Sequence, residues 1–316
     1  MKRLLFVLVL VIAITLPAFA EAAVELKCVA FTCQDLQNPF FKLMGDAVRK
    51  AAKDIGGDKV RVLVESGDND LNKQFQQIDD FIAAGAQIIV LNACDSEGIA
   101  PAVRRAKEAG IVVIASDVTA AGGVDATMTS DNFQAGYIVA EYIADRLNGE
   151  GNVVAIVGDP VSASLDRKNG FDACMAKYPG LKVLSDTQNG KGRRELSMNL
   201  MSDLLTAFPK IDAVWGVNDP TALGAELAIK QAKRADEMFV VGVDGSPDAA
   251  ESQKLEDSIF AASAAQDPYY MAYHAVEVGW EIMNGNPPAV ETELIPVRLI
   301  TQEDVAQGYT GWAIPK

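Results

Sequence analysis

The 316-residue chain has one histidine, four cysteines and only 7% aromatic residues. With His274 the sole imidazole and no two cysteines in a CxxC spacing, a zinc site has no ligand set to draw on. Four cysteines are also too few for a disulfide-stapled scaffold of this length. Positive charge is short as well: 28 Lys and Arg against 43 Asp and Glu give a net charge of −15 and a pI near 4.5. Phosphate backbones are held by clustered Lys and Arg, so this balance speaks against a nucleic-acid face. Beyond the first twenty residues no apolar run approaches the about 20 residues that span a bilayer. What remains is 49% hydrophobic and 22% charged, a globular composition rather than a disordered or fibrous one.

The first twenty residues read as a cleavable export signal. Lys2 and Arg3 are followed by an unbroken apolar run from Leu4 to Ile14, and Ala18-Phe19-Ala20 offers the small residues of a cleavage site. Eleven apolar residues are too few for an anchor. The first cysteine, Cys28, follows Val24-Glu25-Leu26-Lys27, which is not a lipoprotein cleavage site. The expected product is therefore soluble and periplasmic, in an oxidising space. The leader takes two of the 28 basic residues and no acidic one, leaving 26 against 43 and a net charge of −17. Roughly 296 residues remain, enough for two ordinary cores.

From residue 24 the chain alternates β-branched apolar runs with helical patterns. Strands are predicted at 25–32, 60–66, 87–92 and 112–116, with helices at 40–55, 71–84 and 98–108 between them. The helices are expected to end at Gly56, Gly85 and Gly110. The rhythm repeats with strands at 152–157, 182–187, 213–217, 239–243 and 259–265, and helices at 164–177, 194–207, 220–231 and 248–255. A last helix at 268–283 has Asp267 as N-cap and Pro268 in its first turn. Apolar strands separated by helices of this length indicate α/β architecture, two doubly wound parallel-sheet lobes. Cys33 and Cys94 each follow a strand expected to be neighbours in one sheet, so a Cys33–Cys94 disulfide is one expectation. Buried free thiols are the alternative there, and the reading for Cys28 and Cys174.

In open parallel sheets ligands bind beyond the carboxyl ends of the strands. In the first half these ends carry Gln34, Asp35, Asn38, Phe40, Phe41 and Asp117. In the second they carry Asp159, Asn218-Asp219, Asp244 and Gln266, with Arg167 one turn into a helix. Carboxylates accept from vicinal hydroxyls, amides donate and accept, Arg forks, and phenyl faces cover the C–H side of a sugar. Each residue has a plainer reading: N-caps for the Asp and Asn, a core anchor for one Phe, a turn at Asp244-Gly245, a surface charge for Arg167. Recurrence at strand ends in both halves favours a shared cleft. Gly190-Lys191-Gly192-Arg193-Arg194-Glu195 lacks the third glycine of a dinucleotide loop, and Asp68-Asn69-Asp70-Leu71-Asn72 has Lys73 where a calcium loop needs Gly. No nucleophile elbow or other catalytic machinery is visible, and no cofactor is implied.

Asn38-Pro39-Phe40-Phe41, Ser130-Asp131-Asn132, Asn218-Asp219 with Ala222-Leu223-Gly224, and Val241-Gly242-Val243-Asp244-Gly245, in this order and spacing, resemble the ribose-binding-protein family. These are periplasmic sugar receptors of ABC transporters, and the resemblance runs from about residue 26 to 300. It implies a two-lobed, hinged, monomeric binding protein of type I that closes on a monosaccharide or sugar alcohol and delivers it to a membrane permease. It places ligand contacts on Asn38, Phe40, Phe41, Asp117, Arg167, Asn218, Asp244 and Gln266, with Gln34 where the family has a small hydroxyl residue. The crossings would lie near Ser130, Gln266 and Arg298, dividing 24–129 plus 267–297 from 131–266 plus 298–316. Val118 stands where the ribose receptors have Arg, and Gly192 where they have an aromatic, which argues against ribose itself. Three rivals remain: an exported sugar-modifying enzyme on this scaffold, a chemosensory receptor, and a repressor of the lactose-repressor kind. The last needs a DNA-binding headpiece where this chain carries an export signal.

Overall fold

The computed structural model describes residues 24–312, so the expected leader lies outside the described residues. The first half runs β1 (Cys28–Cys33), α1 (Pro39–Gly56), β2 (Arg61–Ser66), α2 (Leu71–Ala83), β3 (Ile88–Leu91), α3 (Ala100–Glu108), β4 (Val112–Ser116) and β5 (Ala126–Ser130). It is followed by α4 (Asn132–Arg146), β6 (Glu150–Val157), α5 (Ser162–Met175), β7 (Gly180–Asn189), α6 (Arg194–Ala207), β8 (Ala213–Gly216), α7 (Asp219–Gln231), β9 (Phe239–Asp244), α8 (Pro247–Gln253) and β10 (Phe260–Ala265). The chain ends with α9 (Pro268–Met283), β11 (Thr292–Ile295), β12 (Arg298–Thr301) and α10 (Gln302–Ala306).

Two six-stranded sheets result, ordered β11-β5-β4-β3-β1-β2 and β12-β10-β9-β8-β6-β7. Every pairing is parallel except β12 against β10. Strands β1, β3, β4 and β9 are buried along their whole length, as a parallel sheet covered on both faces requires. In the first lobe α1 and α9 cover one face and α2 and α3 the other; in the second, α4 and α5 oppose α6 and α7. The chain passes between sheets three times: after Ser130, at Gln266, and between Ile295 and Arg298. This is the doubly wound two-lobe architecture with a three-segment hinge expected from the sequence.

Local chemistry explains most element ends. The Asp70 carboxylate caps α2 by accepting from the Asn72 N–H at 2.8 Å, and Asp267 caps α9 through the Tyr270 N–H at 2.8 Å. Gly85 and Gly110 take the left-handed conformation after their helices, as expected; at α1 that role falls to Gly57, with φ +79°, rather than Gly56. Five elements lack a counterpart in the sequence reading: β5, α4, β11, β12 and α10. The cysteine expectation is corrected. All four cysteines are free thiols. The Cys33 thiol is directed at the Glu65 carbonyl, 3.9 Å away, and no Cys33–Cys94 bond is formed.

Candidate ligand-binding cleft

The carboxyl ends of both sheets meet around a cavity of about 90 Å3. Gln34, Asn38, Phe41 and Asp117 line it from the first lobe, Arg167 and Asn218 from the second. The lobes touch around it. Arg193 Nη2 lies 3.1 Å from Asp35 Oδ2, and Ser162 Oγ accepts from the Thr119 N–H at 2.8 Å. Val161 and Ala163 of the second lobe share an apolar cluster with Val118 and Ala120 of the first. Val118 thus forms apolar wall where a guanidinium was the family expectation.

Arg167 is aimed by close helix packing. A Cβ on Gly136 would lie 1.8 Å from the Arg167 carbonyl oxygen, and one on Gly170 would lie 2.0 Å from that of Phe133. Only glycine at both places lets α4 and α5 approach this closely. The Arg167 Nε then donates to Asn132 Oδ1 at 2.8 Å and Nη1 to the Val217 carbonyl at 3.1 Å, while Nη1 stands 4.0 Å from Asp244 Oδ1.

The two site carboxylates sit on unusual backbone. Asp117 has φ +72° and Asp244 φ +140°, conformations that cost a non-glycine residue about 1–3 kcal/mol and concentrate at functional sites. Asp117 Oδ2 accepts from Asn92 Nδ2 at 2.9 Å, but its Oδ1 is buried without a partner. Asp244 Oδ1 accepts from Gln266 Nε2 at 2.8 Å, leaving Gln266 Oε1 buried and unpartnered. Burial pushes the Asp117 carboxyl up to about 6, against the opposing pull of Arg167 and the Asn92 hydrogen bond. Asp219 also rises to about 6, chiefly through burial, although it accepts from Ser263 Oγ at 2.6 Å and the Ser246 N–H at 2.7 Å. Asp244 is raised well above the usual carboxylate range by burial and by Asp219 beside it.

The expected residues divide by position. Asn38 and Asn218 line the cavity and also serve as N-caps, for the Phe40 and Thr221 N–H groups, both at 3.0 Å. Gln34 donates through Nε2 to the Ala93 carbonyl at 3.1 Å, which turns its amide along the wall. Asp244 borders the adjoining groove, which Gln37, Pro39, Leu223 and Trp312 also line. Phe40 and Gln266 stand one layer back. The Phe40 ring packs edge-on to Phe41 at 5.5 Å, and Gln266 acts on Asp244. Ser130 ends β5 and Arg298 begins β12, both at crossings.

Sequence reasoning missed Asn92 and Asn132, which orient Asp117 and Arg167. It also passed over Lys191 and Arg193, in the segment that lacks the third glycine of a dinucleotide loop, which line the cavity beside Gly192. Asn92 was the last residue of a predicted strand, so its place at a strand end was the available signal.

A two-lobed α/β fold with polar side chains of both lobes converging on an interlobe cavity defines the periplasmic solute-receptor class. The chain belongs to the periplasmic binding protein family: the model for the periplasmic binding protein domain matches residues 29–287. It is 34% identical over 279 residues to the ribose import binding protein of Salmonella typhimurium, covering 87% of this chain and 92% of the relative. It is 32% identical over 292 residues to the D-apiose import binding protein of Paraburkholderia graminis, at 91% and 90% coverage. Among solved structures, an ABC transporter solute binding protein from Mycobacterium smegmatis with bound glycerol superposes with a TM-score of 0.85. That match has 25% identity and covers 92% of this chain and 100% of the other. One from Bacillus halodurans with bound myo-inositol gives 0.81 at 28% identity, covering 90% and 97%.

Proposed function

We propose that the protein is an extracytoplasmic receptor for a neutral monosaccharide or small polyol, which it carries to an ABC-transporter permease. The observation that carries this reading is a buried acceptor without a partner, Asp117 Oδ1 of one lobe, in a cavity that the Asn218 amide and Arg167 guanidinium of the other lobe also line. Buried polar atoms are ordinarily paired, and hydroxyls on one small molecule would pair with groups of both lobes at once. A ligand that bonds both faces stabilises the closed form by its differential affinity. Closure then turns on crossings at Ser130, Gln266 and Arg298, moving residues 24–129 and 267–297 against 131–266 and 298–316.

Ribose, apiose, glycerol and myo-inositol, the ligands in the relatives' names, are all neutral and polyhydroxylated. With Val118 and Gly192 in the cavity wall, the guanidinium and ring used by ribose receptors are absent. A charge-assisted hydrogen bond is worth about 1.5–3 kcal/mol, so another pentose, a hexose or a polyol is favoured over ribose. The test is a thermal-shift screen of pentoses, hexoses and polyols, followed by recovery of the ligand. A ligand at 100 times its Kd adds about 2.7 kcal/mol of stability, so a true ligand is plainly visible. The receptor reading requires that the compound be recovered unchanged; a modified product would instead establish the exported sugar-modifying enzyme. No stabilisation by any neutral sugar or polyol would overturn both.

A further inference from the structure

The three crossings are not the only link between the lobes. After α10 the chain runs back across the second lobe, and its aromatic residues grip the turn that carries Asp244. The Tyr309 hydroxyl donates to the Gly245 carbonyl at 2.6 Å, and the Trp312 Nε1–H donates to the Asp244 carbonyl at 2.8 Å. Two consecutive carbonyls are thereby held by two side chains from one short segment. They belong to the turn with the least relaxed backbone at the site, φ +140° at Asp244 and +63° at Gly245. Tyr309 packs on the second-lobe cluster of Ala250, Ile300 and Val305, which anchors the segment. Trp312 does the opposite. Its ring packs against the first-lobe core, edge-on to Phe40 at 5.6 Å and 78°, and Phe40 in turn abuts Phe41 in the cavity wall. Gly311 permits the approach: with φ +105°, a Cβ there would meet Pro247 at 2.6 Å.

We propose that Tyr309 and Trp312 are positioning residues for ligand binding. They hold Asp244 in the strained conformation that presents its carboxylate, and Trp312 ties that turn to the first-lobe wall through Phe40. The strap is a further noncovalent connection between the lobes, made at the turn that carries Asp244. The effect on affinity rests on the sugar-receptor reading; the effect on the turn does not.

The test therefore has two readouts on the full mature protein and its Y309F, W312F and W312A variants. The first is hydrogen exchange at Gly245 and Ser246, whose N–H groups donate to Ser263 Oγ at 2.9 Å and Asp219 Oδ2 at 2.7 Å. Y309F and W312F should each speed that exchange about tenfold, the ratio that one lost hydrogen bond of ordinary strength supplies. Exchange in β8 should be unchanged. Wild-type exchange at both amides in both variants would overturn the proposal. The second readout is the Kd for D-ribose, D-apiose, xylitol and D-arabinose. W312A should bind at least tenfold more weakly than the wild type, and W312F should recover part of that loss because a ring remains on Phe40. In a D244A background W312A should cost less affinity than it does alone, since the carboxylate it positions is gone. Equal affinities of W312A and the wild type would overturn the proposal. Binding of none of the four probes by the wild type, with faster exchange in the variants, leaves the strap in place and counts against the sugar reading alone.

Discussion

Asp117 carries a cost that titrates. Its carboxyl is raised to about 6 in the folded protein, against about 3.9 in an unfolded chain. Between those values the folded state holds a proton that the unfolded state has released, so stability falls as pH rises through the window. Asp117→Asn should therefore stabilise the ligand-free protein by on the order of 2–3 kcal/mol at pH 7.5, an advantage that disappears towards pH 4. Denaturant midpoints at the two pH values check this. Affinity should move the other way, because an amide cannot serve as the same acceptor for ligand hydroxyls. Asp244→Ala should weaken ligand binding by about two orders of magnitude or more, as seen by calorimetry, because a buried charge-assisted hydrogen bond is lost and its partners stay desolvated. The thiols make a separate test. Burial raises Cys94 to about 12 and Cys174 to about 11. Unreduced native protein should react slowly with a disulfide reagent and show four thiols once denatured. At this scale the sequence disclosed identities but not partners. Asn38 and Asn218 read equally as caps and as ligand contacts; both are caps, and both line the cavity. Nothing in the linear order linked Asn92 to Asp117 or Asn132 to Arg167, because those pairings are made across strands and between helices.

Among the elements, the α4–α5 contact is the most exacting. Gly136→Ala would drive a methyl into the Arg167 backbone, and overpacking of this kind costs about 1–3 kcal/mol or more. It should lower both the melting temperature and the ligand affinity, since Arg167 is carried on the displaced helix. Gly57→Ala, which opposes a positive φ but meets no neighbouring atom, should cost stability alone. The long apolar strands and the capped helices were legible because their signals are local: β-branched runs, Asp caps, glycine stops. β5 was not, because Thr127, Thr129 and Ser130 are buried on it and read as loop; the Thr129 hydroxyl bonds the Asp117 carbonyl at 2.6 Å. β11 and β12 are four residues each and take their identity from the sheet edges they join, which no short window contains.

At the level of the whole molecule, the Arg193–Asp35 pair is the ionic contact across the cleft mouth. Arg193 remains about half exposed, so the pair is worth well under about 1 kcal/mol. Arg193→Ala should raise the ligand dissociation rate only a few-fold at low salt, and stopped-flow measurements in 0.5 M NaCl should show the difference fade. Two lobes and three crossings were readable from the repeated rhythm of the chain and its resemblance to sugar receptors; the mutual seating of the lobes was not, because surface contacts leave no periodicity. The shortest crossing sets a limit on any rearrangement. Only Pro296 and Val297 separate β11, at the edge of one sheet, from β12, at the edge of the other. Three Cα steps of about 3.8 Å cannot exceed about 11 Å. However far the rest of the interface parts, those two margins stay within about 11 Å of each other, so spin labels flanking this joint would supply a bounded ruler against which every other opening distance can be read.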